Sequence, residues 1–128
     1  MKIQYPGNEA MPTSHLPFSP VTRVGNLLFV SGQASVDKQG KIISDTFEAE
    51  VMRSFENLKT ILEAAGSSVE NVVQTRNYVR DPVNLAAFNE LYADFFSSPY
   101  PSRTTITHCL PEALHFEIEC IALVPDPE

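Results

Sequence analysis

Residues 47–79 read FEAEVMRSFENLKTILEAAGSSVENVVQTRNYV, and a change of hydrophobic period halfway along this stretch decides the fold class. In the first half Phe47, Val51, Phe55, Leu58 and Leu62 recur at the three- and four-residue spacing that lines one face of a helix. Asp45 stands where an N-cap is wanted, Glu48 follows three residues later as in a capping box, and Gly66 suits a left-handed C-terminal position. In the second half Val73, Thr75, Asn77 and Val79 alternate with Val72, Gln74, Arg76 and Tyr78, which predicts a long strand over Val69 to Val79.

Working upstream, Val21–Val24 and Leu27–Ser31 flank Gly25-Asn26, a dipeptide that tolerates positive φ, so the pair predicts a β-hairpin ending at Ser31-Gly32-Gln33. Pro6, Pro12, Pro17 and Pro20 make residues 1–20 an irregular lead-in, and Asp37–Gly40 predicts a turn before a short strand at Lys41-Ile42-Ile43. Downstream, a second helix is expected after Asp81-Pro82, with Leu85, Phe88, Leu91 or Tyr92, and Phe95 as its apolar stripe and residues 97–101 as its break. Arg103 to His108 is rich in threonine and predicts a strand; Leu110-Pro111-Glu112 separates it from a last strand over Leu114 to Leu123. With no repeat and no linker, residues 1–128 are expected to form a single α+β domain: one mixed sheet with both helices on one face. The other face would carry Thr, Asn, Gln and Val, and self-association is its expected cover.

The 128 residues are 43% hydrophobic and 20% charged, enough apolar surface for one core and too much for a disordered chain. A net charge of −7 disfavours binding of a phosphate backbone. No apolar run approaches the roughly 18 residues of a membrane span, and MKIQYPGNEA lacks the hydrophobic segment of a signal peptide, so a cytosolic protein without membrane attachment is expected. Cys109 and Cys120, the two cysteines, lack metal or redox spacing and are expected to be reduced. Nucleotide-binding, zinc-protease and serine-hydrolase motifs are absent from the sequence.

Two features could carry chemistry. Alternation along the last strand sets His115, Glu117 and Glu119 on the face opposite Leu114, Phe116, Ile118 and Cys120. Two carboxylates on one strand face resist joint ionisation when partly buried, and one could then act as a general base; the plainer reading is a solvated polar face. Arg103 follows the rigid Pro99-Tyr100-Pro101-Ser102 segment, where a guanidinium fork could grip a carboxylate with two charge-assisted hydrogen bonds, the plainer reading being a surface ion pair. His108, Cys109, His115 and the glutamates do not make a metal site, because strand phase sends neighbouring ligands to opposite faces. Phe95-Phe96 and Phe116 fall on apolar stripes without adjacent basic residues and read as core, not as a base-stacking platform.

Taken in order, Pro17-Phe18-Ser19, Val24-Gly25-Asn26-Leu27, Phe29-Val30-Ser31-Gly32-Gln33, Asn57-Leu58, Glu63-Ala64-Ala65-Gly66, Phe88 to Phe96, Pro101-Ser102-Arg103 and Phe116 to Ala122 run through nearly the whole chain. In these motifs it resembles the RidA (YjgF) family of imine deaminases. The resemblance implies a chorismate-mutase-like α+β fold, a homotrimer with clefts between subunits, and cofactor-free hydrolysis of small 2-imino or enamine acids such as 2-aminoacrylate and 2-aminocrotonate to 2-keto acids and ammonia. It implies that Arg103 holds the substrate carboxylate, that Glu117 positions or activates water, and that Ser31, Gly32 and Asn89 line the cleft. Two positions depart from the family pattern: Phe18 stands where a tyrosine is usual, and Thr105 where a cysteine is common, so both bear on substrate binding. A trimeric binder of small carboxylates without turnover is the alternative these changes favour. An endoribonuclease, an activity assigned to some members, is a further alternative that the −7 charge opposes.

Overall fold

The structure, a computed structural model, describes residues 1–12 and 14–126; the single-domain and lead-in expectations also span Thr13, Pro127 and Glu128, which lie outside the described residues. Six strands form one sheet: β1 (Ile3–Gln4), β2 (Val21–Val24), β3 (Leu27–Ala34), β4 (Val72–Val79), β5 (Ser102–Thr107) and β6 (Phe116–Leu123). Their spatial order is β1-β2-β3-β6-β4-β5, antiparallel throughout except for the parallel β4–β5 pair. Helices α1 (Phe47–Ala64) and α2 (Leu85–Phe96) cover one face, as the expected α+β arrangement requires.

Between helices and sheet lies one aromatic core. The Phe55 ring stacks on Phe95 at 4.5 Å and meets Phe96, Phe116 and Tyr92 edge-on, while Phe88 packs on Phe116 at 5.5 Å. Leu28, Val79, Phe116, Ile118 and Ala122 supply the sheet side and are fully buried. Each fully buried aliphatic or aromatic side chain contributes about 1.5–3 kcal/mol, so this layer is the main source of stability.

Several boundaries differ from the sequence reading. The cap of α1 is Thr46, one residue beyond Asp45: its Oγ1 accepts from Ala49 N–H (3.2 Å), and Asp45 instead accepts from Thr46 N–H (2.7 Å) and pairs with Arg53 (3.3 Å). Glu48 therefore closes no capping box. At the other end Gly66 adopts φ +88°, the left-handed conformation anticipated for it. The lead-in is not wholly irregular, because Ile3–Gln4 adds a two-residue strand to the β2 edge and Met11 is buried in the core. Lys41–Ile43 makes only an isolated bridge, Val36 to Ile42, and Asp81-Pro82 opens a 3₁₀ turn (Pro82–Asn84) ahead of α2. Tyr92, not Leu91, is the more buried member of the α2 stripe.

Two β-bulges shift phase. In β4, Val72 opposes Ala122 and Gln74 opposes Ile121, so Val73 is an extra residue and turns outward, half exposed; Val72 takes the buried side with Thr75, Asn77 and Val79. In β3, Val30 opposes Cys120 and Gln33 opposes Ile118, which leaves one extra residue at Ser31-Gly32. A bulge re-aims the side chains around it.

A buried carboxylate ties α1 to the entry of β6. Glu50, fully buried on the apolar face of α1, accepts from His115 N–H (2.8 Å) and Asp45 N–H (3.0 Å), and its Oε2 lies 2.7 Å from His115 Nδ1. His115 therefore turns toward α1 and does not share the outward face with Glu117 and Glu119, contrary to the alternation reading, and β6 begins at Phe116, two residues after the expected Leu114. Glu50→Ala removes the acceptor of the His115 and Asp45 N–H groups and the partner of the His115 ring at the edge of the core, and is expected to lower unfolding free energy by about 3 kcal/mol, read as a drop in the urea midpoint.

Candidate active site

The outward face of β6 carries Glu117, Glu119, Ile121 and Leu123 in alternation with the buried residues. The two carboxylates occupy different surroundings. Glu119 accepts a hydrogen bond from Tyr78 Oη and lies 3.7 Å from Arg76 Nη1, so it is held by β4. Glu117 has no side-chain hydrogen bond among the described residues and lies against the β3 bulge. A Cβ built on Gly32 would come within 2.9 Å of its Cδ, so only glycine lets the carboxylate lie this close to the β3 backbone. Burial, and then the nearby Glu119 charge, push the Glu117 carboxyl above the ordinary glutamate range. Of the two acids it is the one left unpaired, desolvated and beside an open space, as a general base requires.

That space is a cavity of about 470 Å³ walled by the lead-in residues Met11, Leu16 and Phe18 on one side and by Gly32, Leu114 and Glu117 on the other. Ser31 forms its hinge: Ser31 Oγ donates to the Ser19 carbonyl (2.6 Å) and Ser31 N–H to the Pro20 carbonyl (2.9 Å). Its hydroxyl is thus committed to holding the lead-in. Phe18, about half exposed, forms part of the wall.

Arg103 occupies a second, separate cavity of about 260 Å³ with Asn89, Tyr92, Tyr100 and Pro101. Its guanidinium lies over the Tyr92 ring at 5.0 Å and the Phe88 ring at 5.2 Å. Stacking fixes the plane of the fork and leaves its edge N–H groups free to meet an anion. No acidic side chain among the described residues lies within salt-bridge distance of it.

Beneath Arg103 runs a buried polar line that sequence reasoning missed. Tyr92 Oη and Thr75 Oγ1 are 2.7 Å apart, and Asn77 Nδ2 donates to Thr75 Oγ1 (3.0 Å) and, more weakly, to the Thr104 carbonyl (3.4 Å). Asn77 Oδ1 and Thr105 Oγ1, on neighbouring strands in register, are buried without a partner. The signal was present as polar residues, Thr75 and Asn77, on the core phase of β4.

Within one chain the two halves do not meet. Arg103 is in register with the buried Thr75 and faces α2, whereas Glu117 is in register with Tyr78 and faces away from the helices, one strand beyond β4. Arg103 and Asn89 line one cavity, with Thr105 on the same strand as Arg103; Glu117, Gly32 and Phe18 line the other, which Ser31 flanks without lining it.

Free Cys109 and Cys120 show no reactive character: burial raises both thiols, Cys120 to about 12. Among the described residues no His, Cys, Asp and Glu cluster could hold a metal, and no helix is long and apolar enough to cross a membrane.

The desolvated Glu117 costs stability where it is charged. Its folded-state pKa lies above the unfolded value, so the fold loses stability as pH rises through that interval. Glu117→Gln is expected to melt higher than wild type at pH 8, with the difference shrinking as the pH falls through and below the ordinary glutamate value of about 4.3, where the acid becomes neutral in both states.

The profile of the family described as Endoribonuclease L-PSP matches residues 8–124. A protein of Dermatophagoides farinae named 2-iminobutanoate/2-iminopropanoate deaminase is 30% identical over 110 residues, covering 84% of this chain and 86% of the relative. The crystal structure of RidA from Psychrobacter sp. PAMC 21119 superimposes with a TM-score of 0.86 at 32% identity, over 94% of this chain and 98% of that one. The structure of E. coli TdcF with bound serine gives 0.83 at 30% identity, over 94% and 98%. Sequence and fold agree that this chain belongs to the Endoribonuclease L-PSP family, alongside the RidA proteins and their imine-deaminase relatives.

Proposed function

We propose that the protein hydrolyses 2-imino acids, and the enamines that tautomerise to them, to 2-keto acids and ammonia, at sites completed between copies of the chain. The observation that carries this reading is Glu117: a carboxylate without a hydrogen-bond partner among the described residues, its pKa raised by burial, at the wall of a cavity. The relative named as a deaminase and the TdcF structure with bound serine, a small amino acid, support the reaction class and the size of ligand.

The chemistry needs two handles. Arg103 grips the substrate carboxylate with two parallel N–H···O bonds and so fixes the adjacent imine carbon. Glu117 takes a proton from water as the water oxygen bonds to that carbon, giving a carbinolamine. Glu117 returns that proton to nitrogen and then takes the carbinolamine's hydroxyl proton as the C–N bond breaks, so that the C=O bond forms, ammonia leaves and the 2-keto acid remains. No redox change occurs, and the side chains present supply every proton transfer.

Separation of the two handles within a chain supports assembly. Leu27, Phe29, Val73, Ile106 and Leu123 are exposed together on the helix-free face, an apolar surface that a second copy of the chain would cover. A homotrimer burying this face would bring the Arg103 edge of one subunit toward the Glu117 cavity of the next. Thr105, with its unpartnered hydroxyl, and Asn89 complete the anion side, while Gly32 and Ser31 shape the base side. The family's other activity, RNA cleavage, is disfavoured by the −7 charge, which repels a phosphate backbone. The test is ammonia and keto-acid release from the enamine product of a serine or threonine dehydratase; no acceleration over the spontaneous rate, with keto-acid binding retained, would instead favour the non-catalytic carboxylate binder.

A further inference from the structure

We infer that the cavity against Glu117 is the pocket for the substrate's side chain, and that it selects 2-imino acids with a medium-sized apolar side chain over the smallest ones. This inference rests on the deaminase reading and concerns its substrate class. A volume of about 470 Å³ lies within the roughly 300–1,000 Å³ range of pockets that enclose whole small ligands. A substrate bearing only a methylene or methyl group would leave most of it filled with water against apolar walls.

The lining fits an apolar group. Met11, Leu16, Phe18, Val36, Ile42 and Leu114 form the walls, and Glu117 is the one ionisable residue lining the cavity among the described residues. Phe18 sharpens this: a phenol at that position would offer a hydroxyl to the cavity, whereas the benzyl group offers none. Because Glu117 sits in the wall, a substrate whose C2 atom lies beside its carboxylate directs the C3 branch into the space enclosed by the lead-in. Asn8, Ser14 and Gln33 also reach the lining, but Asn8 Oδ1 accepts from Ala10 N–H (2.8 Å), Ser14 Oγ accepts from Leu16 N–H (3.1 Å) and Gln33 Nε2 donates to the Ser31 carbonyl (3.0 Å), so these polar groups are engaged within the chain, and the one charge available to a polar substituent is Glu117, which the reaction needs.

Transfer of apolar carbon into such a space gains about fourfold per methylene while room remains. The experiment generates imines in situ from alanine, leucine and phenylalanine with an L-amino-acid oxidase and catalase, and follows their loss by semicarbazide trapping. For wild type we expect kcat/KM on the leucine- or phenylalanine-derived imine to exceed that on the alanine-derived imine by tenfold or more. Ile42→Trp, at a position that is partly exposed and so tolerant of size, fills the cavity and should reduce that ratio at least tenfold. Turnover of the alanine imine with an equal or lower rate on the larger ones, or a ratio unmoved by Ile42→Trp, would overturn the pocket assignment and leave the deaminase intact. Absence of turnover on all three would overturn the deaminase reading and the pocket with it.

Discussion

Arg103→Ala is expected to lower kcat/KM for a 2-imino acid by about 10³-fold, because two charge-assisted hydrogen bonds of about 1.5–3 kcal/mol each are lost together with the orientation they impose. Arg103→Lys should recover little of this. A lysine ammonium provides a point charge on a flexible stem, without the planar fork that Tyr92 and Phe88 hold in place at 5.0 and 5.2 Å. Folding should be nearly unaffected, since Arg103 is exposed and makes no ion pair among the described residues. Steady-state kinetics beside a thermal melt separates the two effects: a large kinetic loss with an unchanged melting temperature is the expected pattern.

Glu117→Gln should act on a different parameter. The amide keeps the shape of the side chain but cannot accept a proton from water, so kcat falls by about 10²–10⁴ while KM changes little. The wild-type profile of kcat/KM against pH carries the same information. A base must be ionised to act, and burial raises this carboxyl, so activity falls on acidification with a midpoint above the ordinary glutamate value of about 4.3. Loss of that acid limb in Glu117→Gln, with residual activity flat across the range, assigns it to this residue; an identical limb in the variant would assign it elsewhere. The desolvation expected to poise the base should also leave the variant more stable than wild type at alkaline pH, the trade of stability for activity that a catalytic Glu117 predicts.

The elements legible from sequence are those in which local pattern and burial agree. The stripe from Phe47 to Leu62 faces the sheet as α1, and alternation from Phe116 to Ala122 sets core against outward face in β6. Where a tertiary contact overrides local preference, the sequence misleads. His115 continues the alternation on paper, but the buried Glu50 carboxylate draws both its backbone N–H and its ring toward α1. The clue lay in a glutamate placed on the apolar face of a helix. Alternation groups Val73 with Thr75, Asn77 and Val79, whereas the bulge turns it outward and puts Val72 in their place, because an extra residue in a strand leaves no mark in a period-two pattern. Glu117 and Glu119 could not be ranked from strand phase; Tyr78 and Arg76, which hold Glu119, come from β4, a strand next in space and some forty positions away in sequence. The lead-in offered prolines and no periodicity, yet it supplies one wall of the Glu117 cavity, since a polypeptide without secondary structure can still bury apolar side chains such as Met11.

On the proposed reading, anion fork and base act together across a boundary between two copies of the chain. Subunit complementation tests it most directly: Arg103→Ala and Glu117→Gln chains, each inactive alone, are unfolded, mixed in equal amounts and refolded together. If every site draws its arginine from one copy and its glutamate from the next, random assembly leaves about a quarter of the sites with both groups intact, and the mixture recovers about a quarter of wild-type activity. A mixture as inactive as its two components, with mixed oligomers shown to have formed, would contradict the account.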